Sequence, residues 1–300
     1  MRHPTHRRAR LAAAGIALAL AAGGCGTASA DTDTTATGDV VVDQEIRALL
    51  PENVRQRGSI QLATDPSYAP MESYAADGRT IIGFDADLAA ALGSVTGIRV
   101  ELVAADFGSA LDETVAGTYD GVLSSMTDTA EREKKADFID YFSAGTAVVV
   151  QRGNPHGISD LKDLCGKVVA VERSTVQADL LRRSQPGCGA DKMIVKTFRT
   201  NADALLQVRT GRAVAILNDF PPAAYLAADV KTRSYYQLAS TVQYEPGLLG
   251  LAVAKDNTAL RDALRAALDS LIRSGRYTEL LQRWGVTNGA LEASSVNGGS

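Results

Sequence analysis

The sequence predicts an α/β fold in which parallel sheets are covered by helices, and three observations carry that expectation. Short runs rich in β-branched and apolar residues recur: Ile60–Ala63, Val100–Val103, Val168–Val171 and Val214–Leu217. Segments with helical spacing of apolar residues lie between and after them, so strands and helices alternate along the chain. A body of about 240 residues beyond the N-terminal leader is long enough to bury a large core as one domain or two lobes. Alternation of this kind gives parallel strands with helices on both faces, and ligands then sit beyond the carboxyl ends of the strands.

The elements follow in order. Ile60–Ala63 reads as the first strand. Asp85 reads as the N-cap of a helix that carries Leu88 and Leu92 and stops near Gly93 or Gly97. Val100–Val103 is the next strand. Tyr119–Leu123 is strand-like and leads through Ser124–Arg132 into a charged helical segment, Glu131–Ala136. The turn Arg152-Gly153-Asn154-Pro155 follows an apolar strand, and a domain break is expected near Gly145–Gln151. Val168–Val171 precedes a helix through Leu180 and Leu181, and Val214–Leu217 is closed by Asn218-Asp219 and broken by Pro221-Pro222. Leu260, Leu264, Leu268 and Leu271 recur at the spacing of a helix with one buried face.

The stretch Ser124-Ser125-Met126-Thr127-Asp128-Thr129-Ala130-Glu131-Arg132 is the strongest candidate for a binding site. It sets hydroxyls and an arginine where a strand ends and a helix begins. Backbone N–H groups are unpaired there and the helix dipole favours anions. The guanidinium of Arg132 adds a planar fork that fits a carboxylate with two parallel hydrogen bonds. The plainer alternative is a solvated arginine in a helix start capped by Thr129.

The N-terminus reads as a processing signal at 1–24. Arg2, Arg7, Arg8 and Arg10 precede an apolar run, Leu11–Ala22, that is too short for a stable membrane span. Gly23-Gly24-Cys25 resembles the lipobox of bacterial lipoproteins, which makes Cys25 the lipidated first residue of a membrane-anchored, extracytoplasmic protein. Ala28-Ser29-Ala30 offers the alternative of cleavage after Ala30 and secretion. Residues 25–55 then form a lipid-anchored flexible tether and entry segment, with Gly26–Gly38 too poor in apolar residues to fold, and 289–300 reads as an equally disordered tail. Of 31 basic and 35 acidic side chains the leader takes four arginines, so the exported chain is acidic, with 27 against 35. That balance argues against nucleic acid as a partner. With Cys25 assigned, Cys165 and Cys188 remain, and an even pair in an oxidising compartment is expected to form a disulfide. Closing that loop would add roughly 3 kcal/mol; the alternative is two buried thiols.

Much chemistry has no residues to perform it. Past the leader His156 is the one histidine, in the turn Gly153–Gly157. No nucleophile elbow, no Cys-x-x-Cys, no phosphate-cradling loop and no dinucleotide fingerprint occurs. No metal or cofactor is expected, and acid/base catalysis would fall on carboxylates, lysine or tyrosine.

Four ordered motifs point further: Ala63-Thr64-Asp65-Pro66-Ser67-Tyr68-Ala69-Pro70, Gly83-Phe84-Asp85-Ala86-Asp87-Leu88, the Ser124–Arg132 stretch with Asp137-Phe138, and Arg276-Tyr277 with Trp284-Gly285. With them the chain resembles, over about 58–286, the polar amino-acid family of extracytoplasmic solute-binding proteins of ABC importers (bacterial solute-binding protein family 3). The resemblance implies a two-lobe, periplasmic-binding-protein-like type II fold with the ligand cleft between lobes. Lobe 1 would be 56–147 plus 243–288 and lobe 2 would be 148–242, with the cysteine pair in lobe 2. It implies that Arg132 holds the ligand α-carboxylate beside Thr127 and Ser125, and that Asp219 pairs with the α-ammonium. Ser174-Thr175-Val176 stands where the family usually has Gly-Thr-Thr, a turn whose N–H groups also contact the carboxylate. Tyr68 and Phe107 match positions that pack on the ligand side chain, and Asp65 matches one that contacts a cationic or amide side chain. Met71 stands where phenylalanine is common, a change that bears on pocket shape. The implied function is capture of a polar amino acid, arginine, ornithine or glutamine being favoured, and delivery to an ABC permease by a non-enzymatic, monomeric binding protein. The alternatives are a cyclohexadienyl dehydratase-like enzyme on the same scaffold and a ligand sensor for a membrane receptor.

Overall fold

The computed structural model describes residues 42–299. The leader, Cys25 and the segment Gly26–Gly38 lie outside the described residues.

The chain enters through two short helices, α1 (Gln44–Leu49) and α2 (Glu52–Arg57). Asp43 caps the first by accepting from the N–H groups of Glu45 and Ile46. Ile46, Leu50 and Val54 are buried in the lobe 1 core. The entry segment at the end of 25–55 is therefore folded, because three apolar residues at helical spacing meet a core that its flanking composition does not announce.

Lobe 1 continues with β1 (Ser59–Thr64), a small antiparallel sheet of β2 (Ser67–Tyr68), β3 (Glu72–Tyr74) and β4 (Ile81–Ile82), then α3 (Phe84–Thr96), β5 (Arg99–Ala104), α4 (Phe107–Val115), β6 (Gly121–Val122) and α5 (Ala130–Glu133). Strand β7 (Ala136–Gln151) crosses into lobe 2, which holds β8 (Val168–Glu172), α6 (Val176–Ser184), β9 (Ile194–Phe198), α7 (Asn201–Arg209), β10 (Ala215–Asp219), α8 (Phe220–Ala228) and β11 (Tyr236–Leu238). Strand β12 (Tyr244–Ala254) returns to lobe 1, followed by α9 (Thr258–Arg273) and α10 (Arg276–Trp284).

One sheet runs through both lobes in the order β5-β1-β6-β12-β7-β10-β8-β9, with β11 also on β7. The pairs β1–β5, β1–β6, β8–β10 and β8–β9 are parallel, as the alternation requires, and β7 and β12 are antiparallel. The expected break near Gly145–Gln151 is not an interruption: β7 passes through it, pairing with β12 as far as Thr146 and with β10 over Thr146–Val150. Val148 and Val150 face a cluster with Val169, Val171, Leu181 and Leu217, while Ala147 and Val149 face another with Ala170, Val208 and Ile216. Helices cover both faces here, so a continuous apolar run is required in place of alternation.

Phe84, Tyr141, Phe142 and Tyr277 form an aromatic centre in lobe 1, with Phe84 5.8 to 6.2 Å from each of the other rings. Two readings change in this lobe. The helix at Phe84 starts two residues earlier than expected, with Gly83 at its N-cap, where a Cβ would lie 2.1 Å from the Met71 carbonyl oxygen. Asp85 does not cap it; the carboxylate is fully buried and accepts from the Tyr141 hydroxyl and the Ser125 N–H. Residues 289–299, expected to be disordered, lie along lobe 1: Val296 bridges to Ile139, and the Asp140 N–H donates to the Ser295 carbonyl at 3.0 Å. Backbone pairing holds this segment, and a scarcity of large apolar residues does not prevent that.

Cys165 and Cys188 are joined by a disulfide inside lobe 2. Among the described residues no helix is long and apolar enough to cross a membrane.

Candidate functional site

The cleft between the lobes is built where strands end. Asp65 follows the end of β1 and β2 supplies Ser67 and Tyr68; the loop after β6 delivers Ser124, Ser125 and Thr127, and α5 brings Arg132. From lobe 2, β8 ends in Glu172, the first turn of α6 supplies Val176 and Gln177 with Thr175 just before it, and β10 ends in Asn218 and Asp219. These residues, with Phe107, Glu72, Asn201 and Leu217, line the cleft. The cleft lies beyond the carboxyl ends of β1, β8 and β10, the position expected for an open α/β sheet.

The residues picked out in the sequence converge on this space. Arg132 projects from the first helical turn, which Thr129 caps at 3.3 Å. Its Nη1 donates to the Thr127 carbonyl at 2.7 Å and its Nη2 to the Ser174 carbonyl of lobe 2 at 2.9 Å. The guanidinium carbon sits 5.6 Å from the centre of the Phe107 ring, within cation–π range. Burial lowers its pKa to about 10, partly offset by the carboxylates of Asp179, Asp219 and Asp128, so it is a full cation at neutral pH. Ser125 and Ser174 both hold left-handed backbone, at φ 47° and 62°. Ser174 is the residue of the sequence-derived set outside the cleft lining; its contribution is the carbonyl that meets Arg132.

Asp219 begins α8 but caps nothing with its side chain. Its Oδ2 accepts from the Tyr68 hydroxyl at 3.0 Å, its Oδ1 from Gln177 Nε2 at 2.8 Å, and its own N–H donates to the Tyr68 oxygen at 2.6 Å. Burial pushes the Asp219 carboxyl up to about 7, opposed by the Tyr68 hydrogen bond, the Arg132 charge and Gln177. Tyr68 belongs to lobe 1 and Asp219 to lobe 2, so this pair latches the lobes together. Asn201 Nδ2 on the Ser67 carbonyl at 3.2 Å and Arg173 on Asp106 at 2.6 Å do the same.

Beside Asp65 stands an acid that the sequence did not single out. Glu172 is buried, and it stands against Asp65 across the cleft; burial first, and the Asp65 charge second, push it up to about 10. Asp65 is raised too, chiefly by burial. Asp65 Oδ2, Glu172 Oε1 and both polar side-chain atoms of Asn218 have no hydrogen-bond partner. Two acids with unpartnered oxygens on opposing walls are the acceptor set that a guanidinium or ammonium group fits. Met71, by contrast, is buried against Phe84 in the core and does not line the cleft. Behind the serines, Glu72 accepts from the Ser124 and Ser125 hydroxyls and sits beside Asp85; its carboxyl is pushed well up by burial and by that neighbour. Among the described residues no group of three or more His, Cys, Asp or Glu side chains could hold a metal ion.

The raised carboxyls make closing of the lobes pH-dependent in the protein without ligand. Burial in the closed cleft holds the Asp219 carboxyl at about 7, so exposing it to water is expected to lower it toward the ordinary carboxylate range. Closure then takes up a proton, so it is most favoured at low pH and loses that support as pH rises through about 7. Glu172 acts in the same direction, with its upper limit at about 10. Small-angle scattering of ligand-stripped protein is expected to give a smaller radius of gyration at about pH 5 than at about pH 8, with the difference abolished by saturating ligand.

Comparison with known proteins agrees with this geometry. A model of the bacterial extracellular solute-binding proteins, family 3, matches residues 60–287. The chain is 31% identical over 259 residues to the arginine-binding protein ArgT of Corynebacterium glutamicum, an alignment covering 84% of this chain and 83% of that protein. Among solved structures, an ancestral arginine-binding protein bound to arginine has TM-score 0.70 at 29% identity and covers 76% of this chain and 98% of its own. The ancestral amino acid-binding protein AncCDT-1, a precursor of cyclohexadienyl dehydratase, has TM-score 0.69 at 31% identity and covers 79% and 99%.

Proposed function

Because the chain belongs to the bacterial extracellular solute-binding proteins, family 3, we propose that its cleft captures an amino acid with a cationic side chain, arginine foremost, and delivers it to an ABC importer. One observation carries the choice of ligand: beyond the Arg132 and Asp219 pair, the cleft holds two opposed acids, Asp65 and Glu172, with unpartnered oxygens. Arg132, Thr127, Ser125 and the N–H groups at Thr175 and Val176 receive the α-carboxylate. Asp219 receives the α-ammonium, Tyr68 and Phe107 flank the aliphatic stem, and Asp65 with Glu172 receives the distal charge. A zwitterion needs an anion site and a cation site a few ångströms apart, and burying either charge unpaired costs several kcal/mol. A cationic side chain adds a third requirement that this cleft alone of its charges can meet with the acid pair. The names of the similar proteins, arginine-binding in both a present-day and an ancestral case, support the same ligand.

In this reading lobe 1 is 56–147 plus 243–288 and lobe 2 is 148–242, which the separate apolar clusters support. Cys25 carries the lipid that keeps a monomeric protein at the outer face of the cell membrane. No catalytic residue or cofactor takes part.

A thermal-shift screen of ligand-stripped mature protein tests the proposal. A ligand at 100 times its Kd adds about 2.7 kcal/mol, enough for a rise of several degrees. Arginine, and less strongly ornithine and lysine, are expected to raise Tm; a rise with glutamine or citrulline and none with arginine would sink the cationic assignment. Prephenate belongs in the same screen, because AncCDT-1 is a precursor of a dehydratase; its consumption would replace a binding function by an enzymatic one. Glu172→Gln is expected to weaken arginine roughly 10- to 100-fold while changing citrulline little, since it removes a charge-assisted hydrogen bond but keeps the shape. Calorimetric titration of both ligands measures the ratio.

A further inference from the structure

Residues beyond Gly289 contribute no atom to the cleft, yet they reach the loop that forms it. Ser294 is fixed first, with its N–H and hydroxyl on Asp269 Oδ1 at 3.2 and 2.7 Å. Val296 then bridges to Ile139 beside β7, while the Phe138 N–H donates to Asn297 Oδ1 at 2.8 Å and the Asn297 N–H donates back to the Phe138 carbonyl at 3.0 Å. This pairing covers the edge of β7 opposite its pairing with β12 in lobe 1. The segment ends with the Gly298 N–H on Asp140 Oδ2 at 3.1 Å and the Gly299 N–H on Asp128 Oδ2 at 3.0 Å.

Asp128 lies between Thr127, whose carbonyl holds Arg132, and Thr129, whose hydroxyl caps the Arg132 helix. Both Asp128 and Asp140 are buried, and the donors to their Oδ2 atoms come from 295–299; their Oδ1 atoms have no partner. Without those donors two adjacent buried carboxylates would be left to repel each other, and the loop that carries Thr127 would have to move to solvate them. The contact leaves no room for a side chain: a Cβ on Gly299 would lie 2.5 Å from the Asp128 carbonyl oxygen. Family resemblance ends before this segment, since the family match stops at residue 287.

We propose that residues 294–299 form a strap that positions the Thr127–Arg132 loop, so that ligand affinity depends on a segment outside the cleft. The inference rests on the reading of Arg132 as the carboxylate holder, and its test separates the two. The mature chain truncated after Ala293, and the full-length Gly299→Val variant, are compared with the unaltered protein and with Glu292→Ala, an exposed control. Two measurements are made: arginine affinity by calorimetry, and amide hydrogen exchange of 127–132 without ligand. Both variants are expected to bind about tenfold more weakly and to exchange faster at 127–132, with lobe 2 protection unchanged. Truncated protein that does not fold leaves the decision to Gly299→Val, whose Cβ meets Asp128 first. Unchanged exchange at 127–132 in the folded variants would overturn the strap, whether or not arginine binds. Failure of the unaltered protein to bind any amino acid would remove the ligand assignment, and faster exchange in the variants would still uphold the positioning of the loop.

Discussion

Arg132→Ala is expected to lower affinity for the amino acid by about 3 kcal/mol, roughly 150-fold or more, with the fold retained. The side chain ties to the Thr127 carbonyl in its own lobe and reaches the Ser174 carbonyl in the other, and in the proposed reading its fork also meets the ligand carboxylate. Alanine leaves a bound carboxylate buried with no cation and removes a link between lobes. Arg132→Lys keeps the charge but loses the planar fork, so it is expected to recover only part of the loss. Calorimetric titration measures both, and near-wild-type affinity in the alanine variant would remove Arg132 from the carboxylate site.

Asp219→Ala is expected to have the next largest effect, about 30- to 1,000-fold on arginine affinity. Its signature is in selectivity. With Asp219 present, arginine is expected to bind far better than its deaminated analogue, because only the α-ammonium answers the buried carboxylate. In the variant the ratio of the two affinities is expected to fall toward one. A role confined to structure, through Tyr68 and Gln177, would weaken both ligands equally and leave the ratio as it was. Titrating the two compounds against both proteins distinguishes these outcomes.

Much of this site was legible because its residues sit at element ends, where spacing carries meaning. Ser124–Arg132 could be placed at a strand-to-helix turn from local pattern alone, and Asn218-Asp219 at the close of a strand before two prolines. Glu172 was missed, although the same logic reaches it: it is the last residue of the run Val168–Glu172, directly before the Arg173-Ser174-Thr175 turn. An acid ending a predicted strand beside a candidate anion-binding turn is the signal. Asp85 was misread as a cap because its partners, Tyr141 and Ser125, are far along the chain and local pattern cannot show them. The order of 289–299 escaped for a related reason. Its stability comes from hydrogen bonds to Phe138, Asp140 and Asp128, and composition reports burial far better than it reports pairing.

The two lobes share one hydrogen-bonded ribbon, the pair β7 and β12, and β7 is 16 residues long. Pairing in that ribbon slips at only two places, between Tyr244 and Gly247 and between Leu249 and Gly250. The first contains Glu245 with φ 44° and then Pro246, and it faces the Gly145 region of β7. A hinge made this way can flex where the ladder is already irregular, but it cannot slide, because sliding would break every regular pair at once. The opposing walls of the cleft therefore meet in the same register on each closure. Recognition by a few fixed charges on two separate bodies depends on that repeatability, and the ribbon supplies it without a loop that must be ordered anew each time.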